Sequence, residues 1–215
     1  MRYLTELGNK YGTDRASVVG CKHNYTEIYD EIFGTYRHDV KRVLEIGTYL
    51  GAGLKMWQDY FPNATIYGLE YKRFPDVKYD DTDERIISVI GDQTSRTDWS
   101  SFIDTYGGDF DIIIDDGEHD TFHHQISMGM LFKHLNSDGC YIIEDLFTTR
   151  ATDTRNLITT YEQSGKIVGS HFTEDERKYI ASNIKSHIKH NGYWRGNSKN
   201  PGSNDILKLW VVTKK

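Results

Sequence analysis

Two apolar runs in this chain end in paired carboxylates. Phe110-Asp111-Ile112-Ile113-Ile114 leads into Asp115-Asp116-Gly117-Glu118-His119, and Cys140-Tyr141-Ile142-Ile143 leads into Glu144-Asp145. Short runs of this kind read as buried β-strands. Like charges desolvated at their ends repel unless something positive lies between them. In an open α/β sheet the carboxyl ends of parallel strands line the ligand crevice. Two such ends offer three or four oxygen ligands around one point, a donor set for a hard divalent cation such as Mg²⁺. Asp115 and Asp116 both lie at the strand end, and either can be the ligand. His119, three residues past Asp116, adds a base that titrates near neutrality.

The remainder of the sequence supplies the sheet. Residues 1–40 read as a helical lead-in and lid, in which Tyr25, Ile28, Tyr29, Ile32, Phe33 and Tyr36 share one face behind an Asn24 N-cap. From residue 41 to 215 short apolar runs alternate with helical periods. Strands are expected at Val43–Ile46, Thr65–Glu70, Ile86–Ile90, Phe110–Ile114 and Cys140–Ile143. Thr173 and Glu176 form a capping box for a helix to about Asn183, followed by strands over Lys185–Tyr193 and Ile206–Val212 with a Gly-, Asn- and Ser-rich loop between them. Alternation of this kind means βαβ units and a doubly wound, Rossmann-like sheet. Two closing strands with no full crossover helix between them must include an antiparallel one. A mostly parallel sheet with an antiparallel C-terminal strand is the layout of a class I S-adenosylmethionine (SAM) dependent methyltransferase, in one globular domain.

The turn Glu45-Ile46-Gly47-Thr48-Tyr49-Leu50-Gly51-Ala52-Gly53 fits a nucleotide ligand of that kind. Glycines between a strand and a helix let backbone approach a ligand. Gly47 and Gly51 are four apart, which is not the pyrophosphate pattern, and the acid before Gly47 suits a cationic ligand such as SAM. Tyr49 in this turn is accounted for by packing as well as by contact with cofactor. Glu70 ends the second strand, where a carboxylate accepts hydrogen bonds from ribose hydroxyls. Asp92 ends the third, within reach of an adenine ring or as a helix cap.

Bulk properties exclude other classes. A net charge of -6, with no block of five basic residues, argues against nucleic acid or a membrane surface as partner. The chain begins with no apolar signal core, and its two cysteines, Cys21 and Cys140, fit a reduced, cytoplasmic protein without disulfides.

Several segments together resemble the Mg²⁺-dependent sugar O-methyltransferases of macrolide and tetracenomycin-rhamnosyl pathways. They are Lys10-Tyr11-Gly12-Thr13-Asp14, His23-Asn24-Tyr25, Val43-Leu44-Glu45-Ile46-Gly47, Met56-Trp57, Ile114 through His119 to His124-Gln125-Ile126-Ser127, and Ile143-Glu144-Asp145-Leu146. The resemblance implies that Asp116, Glu144 and Asp145 hold Mg²⁺ and that His119 is the catalytic base. It also implies that Glu45, Gly47, Glu70 and Asp92 contact SAM. Tyr49, Gly51 and Asp115 are placed on the cofactor side with them, Asp115 as a hydrogen-bonding neighbour of the ligand Asp116. The expected acceptor is a glycoside or other polyhydroxylated small molecule, and the expected assembly a homo-oligomer. Two rival readings are a catechol O-methyltransferase on the same fold and a NAD-dependent oxidoreductase. The glycine spacing speaks against the second.

Overall fold

The computed structural model describes residues 2–17, 23–72, 84–194 and 203–215. Cys21 and most of the loop expected between the closing strands lie outside the described residues. The chain divides into two compact units, Met1–Gly91 and Asp92–Lys215.

The first unit opens with two helices, α1 (Tyr3–Tyr11) and α2 (Tyr25–Phe33). The α2 register is the expected one. Asn24, however, takes a left-handed conformation (φ 59°) and its side chain caps nothing. Three parallel strands follow, β1 (Arg42–Ile46), β2 (Thr65–Glu70) and β3 (Ile86–Ile90), in the order β3-β2-β1, with α3 (Ala52–Tyr60) between the first two. The tyrosine-rich lead-in is core. Tyr29 meets Trp57 edge-on at 5.4 Å and Phe33 meets Phe61 at 5.7 Å, all four buried. Aromatic pairs in these geometries add about 0.5–1.5 kcal/mol each beyond burial. Tyr60 donates to Asp30 at 2.7 Å; burial and that carboxylate push its phenol upward, so it stays a donor. Lys10, at the end of α1, is tied to Asp59 at 2.8 Å.

The second unit runs α4 (Arg96–Tyr106), β4 (Phe110–Asp115), α5 (Thr121–Leu131), β5 (Leu135–Ile143), α6 (Thr152–Ser164), α7 (Glu174–Asn183), β6 (Ile184–Trp194) and β7 (Ser203–Lys214). β4 and β5 are parallel, β7 lies antiparallel to β5, and β6 lies antiparallel to β7. The last strand is therefore inserted beside β5, leaving β6 outside it. The capping box forms as expected, with Thr173 Oγ1 accepting from Glu176 N at 3.2 Å and Glu176 Oε2 from Thr173 N at 2.7 Å. No strand or helix reading anticipates α6. Its buried stripe is only Thr154, Leu157 and Ile158, too thin to stand out as a period. No described helix is long and apolar enough to cross a membrane.

Candidate active site

In the first unit the acid at the end of β1 is satisfied internally. Glu45 is 1% exposed and forms an ion pair with Arg15 at 2.6 Å, itself 4% exposed. Burial pushes the Glu45 carboxyl up, while Arg15 and then the Trp57 indole pull it down. Its second oxygen, Oε2, has no well-formed hydrogen bond. Gly53 is a glycine because a Cβ there would collide with both Glu45 and Arg15. In the turn, Gly47 and Gly51 both take φ 79° and Tyr49 takes φ 46°, so left-handed residues alternate with others along the loop. Tyr49 is 63% exposed, and its backbone N–H donates to Glu70 Oε2 at 2.7 Å. Tyr71 N donates to Glu70 Oε1 at 2.8 Å. Both carboxylate oxygens at the end of β2 are thereby oriented.

The second unit gathers the remaining residues. Asp92 shapes its own turn, with Oδ1 accepting from Thr94 N at 2.8 Å and Thr94 Oγ1 at 2.7 Å. Asp115 is fully buried and accepts three side-chain donors: Gln93 Nε2 at 2.6 Å, Ser127 Oγ at 2.5 Å and Tyr141 OH at 3.1 Å. Its backbone oxygen accepts from Glu144 N at 3.0 Å, fastening the two acidic strand ends together. Burial, and then Asp115, push the Tyr141 phenol well above its ordinary range, so it remains a neutral donor. Gln93, Ser127 and Tyr141 carry no role in the sequence reading. The available signal was a Gln and a Tyr at positions that a strand and its following turn bury.

Asp116, His119 and Asp145 converge, with one ligand atom from each lying within 4.8 Å of the others. His119 Nε2 stands 3.5 Å from Asp145 Oδ2, and its Nδ1 is buried without a hydrogen bond. His119 (φ 56°) and Asp145 (φ 52°) both hold left-handed backbones. That conformation costs a residue other than glycine on the order of 1 kcal/mol and gathers at functional sites. Thr148 Oγ1 donates to His119 O at 3.3 Å, pinning the loop that carries the imidazole. Glu144 is 1% exposed and is not among the three convergent residues. Of the three carboxylates expected at the metal, the structure thus brings two together with His119. His124, five residues on, is buried, with Nδ1 3.0 Å from Thr154 Oγ1, and burial pushes its pKa down to about 4. It is a neutral core histidine. His123 Nδ1 is buried without a hydrogen bond.

No protein-family model matches the chain. Demethylmacrocin O-methyltransferase of Streptomyces fradiae is 38% identical over 152 residues, 67% of this chain. Mycinamicin VI 2''-O-methyltransferase of Micromonospora griseorubida is 38% identical over 156 residues, again 67% of this chain. The rhamnosyl-tetracenomycin-C 3'-O-methyltransferase of Streptomyces olivaceus is 36% identical over 152 residues. The chain belongs with the sugar O-methyltransferases of macrolide and tetracenomycin pathways. It spans 36% of the length of the first two of these O-methyltransferases. Among solved structures, MycE methyltransferase in complex with Mg and SAH superposes with a TM-score of 0.72 at 28% identity, covering 98% of this chain and 54% of that one. MycE is also known with Mycinamycin VI bound, at a TM-score of 0.71. A SAM-dependent methyltransferase from Anabaena variabilis, at 13% identity and a TM-score of 0.56, matches in fold alone. The class I methyltransferase fold expected from the strand pattern is the fold observed.

Proposed function

We propose that this chain moves a methyl group from SAM to a hydroxyl of a sugar or glycoside carrying a vicinal diol, with Mg²⁺ orienting the acceptor and His119 as general base. The observation that carries the reading is the convergence of Asp116, His119 and Asp145 in a homologue of sugar O-methyltransferases. The donor chemistry fits the ion: two carboxylates held close together attract a hard cation. Asp116 and Asp145 would hold it, and Glu144 joins them by resemblance. Bound there, the cation supplies Lewis-acid polarisation of a hydroxyl, while SAM supplies an electrophilic methyl on a positively charged sulfur.

The chain's own residues do the rest. His119 accepts the proton that the hydroxyl gives up, its Nε2 standing 3.5 Å from the Asp145 carboxylate. A positioned base of this kind contributes about 10²–10⁴-fold. Glu70, both oxygens oriented by backbone N–H groups, presents itself to ribose hydroxyls. The turn from Gly47 through Tyr49 to Gly51 would bring backbone up to the cofactor, and the resemblance adds Glu45 and Asp92 as contacts. Asp115, fully buried among three donors, acts through Asp116 as a positioning residue.

Titration calorimetry with SAM, with and without Mg²⁺, on the wild type and on Asp116→Ala tests the reading. The expected result is SAM binding in both proteins and a metal site lost in the variant. SAM binding with no metal site would remove the mechanism and keep the fold. Tighter binding of NAD than of SAM would overturn the proposal.

A further inference from the structure

A cleft of about 500 Å³ opens in the second unit, starting at Asp120, the residue after His119. Its walls are the first turn of α5, the stretch from Thr149 into α6, and the turn 168–171. That turn is fixed from three directions. Arg96 Nη2 donates to His171 O at 2.9 Å while the same guanidinium grips Glu176. Arg177 Nη1 donates to Gly169 O and Phe172 O, both at 3.0 Å. His171 N donates to Gln125 Oε1 at 3.0 Å. Gly169, at φ 145°, passes flat over the Gln125 amide, where a Cβ would collide with the amide atoms. A surface turn held this firmly forms a preorganised wall.

The lining has a consistent chemistry. Gln125 is 3% exposed, and its Nε2 donates to no described residue, so a buried amide meets the cleft with hydrogen-bonding capacity in hand. Asn156 adds a second amide from the α6 wall, its Nδ2 donating to Asp153 Oδ1 at 3.3 Å and its oxygen offered as an acceptor. Phe122 and Val168, each 36% exposed, supply apolar surface beside them. Arg150, the cation of the lining, is already engaged by Glu118 at 2.5 Å and Asp120 at 3.5 Å. With Asp120 and Asp153 also present, an anion is disfavoured. Neutral hydrogen-bonding groups against an aromatic and an aliphatic surface suit a ring that has hydroxyls on its edge and C–H groups on its face.

We propose that this cleft is a carbohydrate subsite in which the Gln125 and Asn156 amides hold a neutral pyranoside ring against Phe122. The proposal rests on the sugar methyltransferase reading and deepens it, since the lining of the cleft begins at the residue after His119 and the cleft would take the part of a glycoside that is not methylated.

The test is saturation-transfer NMR on the full chain with methyl α-L-rhamnopyranoside, methyl β-D-glucopyranoside and methyl β-D-galactopyranoside, and with inorganic phosphate as competitor. At least one glycoside should bind in the wild type. Gln125→Met and Asn156→Ala should each weaken it about fivefold, the size of one hydrogen bond between neutral groups. Asn156 is exposed on α6, so its variant keeps the test open if Gln125→Met fails to fold. Three outcomes would each overturn the subsite: no binding by any of the three, binding indifferent to both substitutions, or displacement by phosphate. SAM and metal binding alongside any of these would leave the methyltransferase reading standing. Substitution-sensitive sugar binding without SAM binding would keep the subsite and remove that reading.

Discussion

Glu45 and Asp115 occupy similar places in the sequence pattern, each within the last two residues of an apolar strand, and the fold treats them in opposite ways. Glu45 is neutralised by a cation, with Arg15 at 2.6 Å and both side chains buried. Asp115 is solvated by three neutral donors and, among the described residues, by no cation. The ion pair is an all-or-nothing device, because losing one partner strands a charge in the interior. The donor cage is graded, since each hydrogen bond carries only a share. Asp116 follows a third course: it is brought to His119 and Asp145. A strand-end carboxylate is therefore a candidate metal ligand where the fold concentrates charge rather than quenching it.

The largest effect should fall on the ion pair. Arg15→Met leaves Glu45 buried without its cation and should cost about 3–5 kcal/mol of stability, read as a lower urea midpoint. Burial already raises the Glu45 carboxyl and Arg15 lowers it, so in the variant it rises further. A group with a raised folded pKa gives stability that is present at low pH and lost as pH rises through that pKa. The deficit relative to the wild type should therefore shrink as pH falls. A deficit independent of pH would break the contrast drawn between the two carboxylates.

The limits of the sequence reading follow the same division. Strand β2 and strand β3 were legible to the residue, because each is a short apolar run between clear breaks. So was the Thr173–Glu176 capping box, which is a purely local device. The pattern of the two strand ends pointed to the region where Asp116, His119 and Asp145 converge, but it left Asp115 and Asp116 open, and only the resemblance chose between them. Arg15 was not, since it lies thirty residues from Glu45 with no local pattern to tie them. Gln93, Ser127 and Tyr141 come from three separate elements and meet only in the folded core. Long-range hydrogen bonding of this kind leaves no period in a sequence. Nor does backbone handedness, seen in the positive φ of His119 and Asp145.

A second effect tests whether the interior around Asp115 tolerates a cation at all. His124 is buried, and burial, against the opposing pull of Asp115, holds its pKa at about 4 rather than the ordinary 6.5. A histidine with a depressed folded pKa takes up protons first in the unfolded chain. Its contribution is intact above pH 6.5 and is lost as pH falls from there towards 4, for a total of about 3 kcal/mol. Urea unfolding of the wild type across that window should show the loss, and His124→Gln should flatten it. An unchanged slope in the variant would assign acid sensitivity to another group.

The smallest effect sharpens the comparison most. Tyr141→Phe removes the longest of the three hydrogen bonds to Asp115, 3.1 Å, without leaving a cavity. Ser127 still reaches the same oxygen, so stability should fall by only about 1 kcal/mol. Asp115 and Asp116 are consecutive, and Glu144 hangs from the Asp115 carbonyl. Loosening this cage should therefore weaken Mg²⁺ binding about tenfold, as loss of a hydrogen-bonding support behind a metal ligand does. Gln93→Leu, which removes the shorter 2.6 Å bond, should weaken it more. If both variants bind Mg²⁺ like the wild type, the cage is a device of stability alone, and Asp115 stands beside Glu45 rather than beside Asp116.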